Sequence, residues 1–356
     1  VKCAADADCG LGNACVGYAC KAGKAAVCGN KAIEVGETCD DGNGADGDGC
    51  SGKCLAETPP LGGLIDAAMA YDAATGIGWI VGGELAYQLN DAVVRYSEDG
   101  KLAPFTPFAG LVGPPARARA SLVRDPKSGH ALLFGGEGYY QVFNDVWRLV
   151  PNNPGAPSWQ AVATKGPQPG ERMGAVAFWH AGSGRMVVGL GEGYYKLPED
   201  WWALDPVAKT WKLLTLPPLG GPLPRKAAAV ADDGTGGAWI YGGQGYYEVF
   251  ADLWHVTVVG DAVKFAQVQL APTAPLPLTR GCLVQTAKGL VLAGGETFYR
   301  LSDEVFRIDP GSGKWTTGKG PVTAGPVCSL RADGNVVVQL GQGYYQWTQA
   351  PGLVAP

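Results

Sequence analysis

Gly135-Gly136-Glu137-Gly138-Tyr139-Tyr140 decides the fold, because close copies of this stretch recur along everything that follows residue 60. The copies read Gly83-Glu84-Leu85-Ala86-Tyr87, Gly136-Glu137-Gly138-Tyr139-Tyr140, Gly191-Glu192-Gly193-Tyr194-Tyr195, Gly243-Gln244-Gly245-Tyr246-Tyr247, Gly295-Glu296-Thr297-Phe298-Tyr299 and Gly341-Gln342-Gly343-Tyr344-Tyr345. They stand roughly fifty residues apart. A fixed period of that size marks a repeat architecture, in which each unit buries its apolar face against its neighbours.

Between the copies each unit reads as four short strands separated by turn signals, the pattern of a β-propeller blade. In the third unit the strands are Met173 to Phe178, Arg185 to Leu190, Trp201 to Leu204 and Thr210 to Leu214. The third strands of other units carry Asp145-Val146-Trp147, Asp252-Leu253-Trp254 and Asp303-Glu304-Val305-Phe306, and Trp159, Trp211 and Trp315 open fourth strands. The expected fold is all-β, a six-bladed propeller over residues 55–356.

An Arg at the start of the inner strand, an apolar second strand ending in Gly-Gly, an aromatic third strand and the turn Asp309-Pro310-Gly311-Ser312-Gly313-Lys314-Trp315 together resemble the kelch repeat. The resemblance covers residues 64–347. Leu190 and Leu340 replace the first Gly in blades three and six, and Arg is missing from blades one and six. The last blade is short, with eleven residues after Tyr345. Leu55-Ala56-Glu57-Thr58-Pro59-Pro60-Leu61-Gly62-Gly63 is similar to Leu214 through Gly221, which follows a fourth strand. Residues near 54–58 are therefore expected to supply the outer strand of blade six and close the ring, removing free sheet edges.

Eight of the ten cysteines lie in the first 54 residues, a density that points to disulfides and an oxidising, extracellular or cell-surface location. Residues 1–27 form one segment with Cys3, Cys9, Cys15 and Cys20. Residues 28–54 form a second with Cys28, Cys39, Cys50 and Cys54, built on Cys39-Asp40-Asp41-Gly42-Asn43 and Gly47-Asp48-Gly49-Cys50. The second closely resembles the cysteine-rich repeat of myxobacterial-type extracellular proteins, which implies secretion or surface display. Asp40, Asp41, Asn43, Asp46 and Asp48 offer the closely spaced oxygen ligands that calcium favours, although not at the spacing of the twelve-residue calcium loop. The competing reading is that these residues form turns between disulfides. Cys282 and Cys328 fall at matching positions of adjacent blades, either as a disulfide between inner strands or as two buried thiols.

The 356 residues are 46% apolar and 17% charged, the composition of a folded chain, and their 55 Gly and 26 Pro mark turns. Net charge is −5 without basic clusters, which argues against nucleic acid as a partner. No apolar run is long enough for a transmembrane helix. The chain opens on Val1-Lys2-Cys3 with neither initiator Met nor signal peptide, as expected of a processed secreted protein.

The kelch resemblance implies that the repeated loops and the inner-strand starts share one face around the channel mouth. Glu84, Glu137, Glu192 and Glu296, with Gln244 and Gln342, would ring it beside Arg119, Arg172, Arg225 and Arg280. Tyr87, Tyr139, Tyr140, Tyr194, Tyr195, Tyr246, Tyr247, Tyr299, Tyr344 and Tyr345 would form a second ring. Two readings are open: Arg–Glu pairs and tyrosines that lock blades together, or a concave, aromatic surface that binds a glycan or peptide. The expected function is non-catalytic binding at this mouth. The alternatives are a structural subunit that joins copies of itself and a carbohydrate-active kelch enzyme. The copper site of kelch radical oxidases needs two His and two Tyr. His130 and His180 instead fall in hairpins away from the mouth and His255 on a third strand, so no catalytic residue and no certain cofactor is assigned.

Overall fold

In the computed structural model the described residues are 64–319, apart from 73–74, 86, 98–101, 106–112 and 152–156. The backbone strands Asn13–Val16, Ala19–Ala22, Val327–Leu330, Val336–Leu340 and Gly343–Trp347 are described as well. Two compact units divide the chain, Val1–Leu61 and Gly62–Pro356. In the first, Asn13–Val16 and Ala19–Ala22 form an antiparallel hairpin with Cys15 opposite Cys20.

The second strands of the second unit explain the architecture. Ile77–Val81, Ala131–Phe134, Arg185–Gly189, Ala238–Tyr241 and Gly289–Ala293 are nearly continuous apolar runs. Ala131–Phe134 is buried at all four positions. A strand reads this way, without polar alternation, when another sheet covers each of its faces. Fourth strands such as Thr210–Leu213 and Trp315–Lys319 are mostly exposed, as the outer rim requires.

Five four-stranded antiparallel sheets result, each with its strands in sequence order, and a sixth sheet has three strands. The first strand of each sheet packs against that of the next. Val327–Leu330 lies against both Cys282–Thr286 and Ala68–Asp72, which closes the circle of inner strands. The fold is a β-propeller. Among the described residues five of the six predicted blades are complete and the sixth shows three strands, and the proposed closing strand at residues 54–58 lies outside the described residues.

Apolar clusters fill the space between consecutive blades. Val123, Phe134, Trp179, Met186 and Trp211 join the second and third blades, and Val176, Trp201, Ile240 and Val256 the third and fourth. Gly189 occupies the register of Phe134, and a Cβ there would lie 2.1 Å from the Trp201 ring. The small residue makes room for the large one on the neighbouring strand, which keeps the core at close-packed density.

Candidate functional site

Each second strand ends at one edge of its sheet in two left-handed residues. The first is Gly82, Gly135, Gly242 or Gly294, at φ of 63–65°, with Leu190 at 57° in the third blade. A Cβ on Gly82, Gly135 or Gly242 would meet a backbone oxygen of the next blade at 2.2–2.5 Å. The following amide donates to that same carbonyl: Gly83 to Arg117, Gly136 to Arg172, Gly191 to Arg225 and Gly243 to Leu278. The glycines thus let neighbouring backbones approach closely enough to bond.

The inner strands start at the same edge, because Glu84, Glu137, Glu192, Gln244 and Glu296 bridge Ile65, Ala118, Met173, Lys226 and Thr279. The residue after each of these, Asp66, Arg119, Gly174, Ala227 or Arg280, has φ of 51–57°. Arg119 N donates to Asp66 O at 2.9 Å, Gly174 to Arg119, Ala227 to Gly174 and Arg280 to Ala227, each at 2.8 Å. This belt of backbone hydrogen bonds tightens the mouth and holds non-glycine residues in a sparsely populated conformation.

Charges converge on the belt. The buried Asp66 carboxylate accepts from Arg280 Nε at 2.9 Å, Arg280 Nη2 at 2.5 Å and Arg119 Nε at 3.0 Å. Arg119 also pairs with Glu137 at 2.9 Å and Arg280 with Glu296 at 3.1 Å, while Lys226 pairs with Glu192. Burial raises the Glu137 pKa against the pull of Arg119, with the charges of Asp66 and Glu84 adding to the rise. The Arg280 pKa is raised: burial pulls it down, and Asp66 and Glu296 outweigh that effect. The outcome is a rigid, internally paired charge cluster.

Arg172 and Arg225 do not belong to it, which corrects the single arginine ring expected from the sequence. Together with Arg117 they lie two residues before the belt position and are 1% exposed. Arg117 grips Asp145 at 2.6 and 2.8 Å, Arg225 grips Asp252, and Arg172 pairs with Asp200 at 3.0 Å. The same aspartates accept from the indoles of Trp147, Trp254 and Trp202 two residues on. Arg117 and Arg225 also cover the Phe143 and Phe250 rings at 3.9 and 3.8 Å. These Arg–Asp–Trp sets are structural and tie blade interiors together. Sequence reading missed Arg117, Asp66 and Lys226. The available signal was offset: Arg117, Arg172 and Arg225 precede the first loop residue, Gly135, Leu190 or Gly242, by 18, 18 and 17 positions.

The paired tyrosines also divide. The first of each pair staples blades, since the Tyr139, Tyr194 and Tyr246 hydroxyls accept from the amides of Leu89, Val142 and Leu197 in the preceding blade at 2.9–3.0 Å. The second is free of the fold. Tyr87, Tyr140, Tyr195, Tyr247 and Tyr299 are 91–98% exposed. Tyr344 and Tyr345 lie on the strand Gly343–Trp347, and Gln342 lies outside the described residues.

Cys282 is buried on an inner strand and disulfide-bonded. The acidic loop from Asp40 to Asp48 and the cysteines from Cys28 to Cys54 lie outside the described residues, as do Cys3 and Cys9. Among the described residues no group of three or more His, Cys, Asp or Glu is placed to hold a metal, and no helix is long and apolar enough to cross a membrane. His255 lies away from the mouth, stacked on Trp239 and 2.7 Å from Asp233.

The family model described as the KLHDC2/KLHL20/DRC7 Kelch-repeats domain matches residues 128–345. The chain belongs to the kelch-repeat family. A solved structure titled "Structure of YjhT" superposes on this kelch propeller with a TM-score of 0.63 at 18% identity, covering 80% of this chain and 93% of the other. That likeness concerns the fold. No curated protein matches the chain in sequence. Kelch propellers serve generally as binding or scaffold domains, and nothing in the family match indicates catalysis.

Proposed function

We propose that this kelch protein is a non-catalytic binding protein of the cell exterior or cell surface, and that it holds a glycan or peptide on the tyrosine-ringed mouth. The observation that carries this reading is the near-complete exposure of Tyr87, Tyr140, Tyr195, Tyr247 and Tyr299 on one face. A fully exposed tyrosine contributes nothing to the core, and five at equivalent positions form a surface of the amphipathic, rigid side chains that recognition surfaces favour. Beneath them the paired charges of Asp66, Arg119, Arg280 and Glu296 form a fixed polar floor. The disulfide at Cys282 supports an oxidising compartment. We assign its partner as Cys328, on the adjacent inner strand Val327–Leu330.

The test replaces the five exposed tyrosines by Ser together and screens wild type and variant on glycan and peptide arrays. Binding by the wild type is expected to disappear in a variant that keeps its melting temperature. Retained binding, or absence of any wild-type ligand together with oligomers in native mass spectrometry, would favour a scaffold joining copies of itself. Running the same spectra with and without chelator tests calcium at Asp40, Asp41, Asn43, Asp46 and Asp48.

A further inference from the structure

On the opposite face from the tyrosines, the fifth blade carries a cleft of about 540 Å³, within the range of roughly 300–1,000 Å³ usual for small-ligand sites. Lys288 from the first hairpin, Arg307 from the third strand, Lys314 and Trp315 line it, with Asp309 as the one acid. Ala271 and Pro272 of the connector form a wall, which the Ala271 amide fixes by donating to Gly313 O at 3.0 Å.

The cleft differs from the corresponding region of the third blade, although the second blade also leaves its Trp159 part-exposed at the same register. Trp315 occupies the register of Trp211 in the third blade, each opposite an aliphatic third-strand residue, Ile308 or Leu204. Trp211 is buried against Phe134, with ring centroids 5.4 Å apart. Trp315 is half-exposed, yet held rigidly by Phe306 at 5.6 Å and by its indole N–H on Thr273 O at 2.7 Å. Arg307 occupies the register of Arg148 in the second blade. Arg148 donates to Pro206 O of the following blade, whereas the Arg307 guanidinium has no ion pair or side-chain hydrogen bond among the described residues. Asp309 is already engaged by Gly311 N and Ser312 Oγ of its own turn. A net positive cleft with a fixed aromatic floor therefore sits in a chain of net charge −5.

We infer that this cleft binds an acidic saccharide, a sugar carrying carboxylate or sulfate. The C–H face of the sugar ring stacks on Trp315 while its anion meets the fork of Arg307 and the ammonium of Lys314. An acidic peptide would engage the cations and leave the indole floor unused. This site is independent of the tyrosine face.

Isothermal titration of the full chain with trigalacturonate and with a heparin-derived tetrasaccharide, against maltotriose and hexaglutamate, tests the inference. Salt-sensitive binding of an acidic saccharide is expected, without binding of maltotriose. Arg307→Gln is expected to weaken it about tenfold or more, the scale of one charge-assisted contact, and Lys314→Gln less. Lys127→Gln, an exposed lysine in the corresponding first hairpin of the second blade, is expected to leave it unchanged. Failure of both acidic saccharides to bind would overturn the site, and so would binding indifferent to Arg307→Gln and Lys314→Gln. Equal binding of hexaglutamate would overturn the saccharide class.

Discussion

Two regions built from the same repeats, one inside the blades and one on the mouth face, obey opposite rules. In the buried collar of Arg117, Arg172 and Arg225, each guanidinium has its aspartate, and each aspartate its indole. In the outer ring, the second tyrosine of each described loop is more than 90% exposed and touches at most the aromatic ring before it. Repetition alone therefore does not distinguish fold from function. Partners do: a repeated residue whose polar atoms are all satisfied internally is framework, and one left exposed at every repeat is surface available to a ligand.

The most damaging way to break this contrast is to open the collar. Arg117→Ala or Arg225→Ala removes a buried guanidinium from a carboxylate that still reaches solvent, and is expected to cost about 2–4 kcal/mol in urea unfolding, below the cost of breaking a fully buried pair. Arg172→Ala should cost less, because Arg172 lies 3.0 Å from Asp200 and burial already lowers its pKa against that pairing. A loss below about 1 kcal/mol for Arg117→Ala would remove the collar from the framework. Next comes Gly135→Ala, expected to cost about 1–3 kcal/mol through its φ of 65°, with more from the carbonyl of Arg172 at 2.5 Å.

Between the two regions stand the stapling tyrosines. Tyr139→Phe or Tyr246→Phe removes one interblade hydrogen bond and is expected to cost about 1 kcal/mol. Phe298 holds this position in the fifth blade without a hydroxyl, so Phe298→Tyr should stabilise by up to a similar amount; no gain would mean that the fifth loop sits differently from the others. Glu137 gives a pH test. Its raised pKa means the folded protein keeps this proton to higher pH than the unfolded chain does, so ionising it costs stability as pH rises through the folded value. Glu137→Gln should therefore raise the melting temperature at pH 7, and the gain should shrink as pH falls below the ordinary carboxylate range. The smallest effect is expected outermost: Tyr140→Ser should change stability by no more than about 0.5 kcal/mol.

The blade pattern was legible because it rests on local rules. Continuous apolar second strands, Gly-Gly ends and turn residues each leave a mark at fixed spacing, and the structure puts Arg185–Gly189, Trp201–Asp205 and Thr210–Leu213 close to where the third unit predicted them. The arginines were not legible. Arg119 and Arg172 look alike in a repeat, yet a shift of two residues moves the side chain from the open mouth to the blade interior. Asp66 gave no signal at all, since it follows no motif and gains its role from Arg119 and Arg280, the latter 214 residues away.

The sequence by itself determined the repeat, its all-β blades, the mouth loops and the cysteine-rich opening, because each follows from residues close together in the chain. Only the tertiary structure decided which arginines are framework, which tyrosine of each pair is exposed, and that blade five leaves Arg307 without a described partner beside a part-exposed Trp315. Those outcomes depend on which atoms neighbouring blades bring within hydrogen-bonding reach, and a partner contributed by another blade leaves no mark in the local sequence.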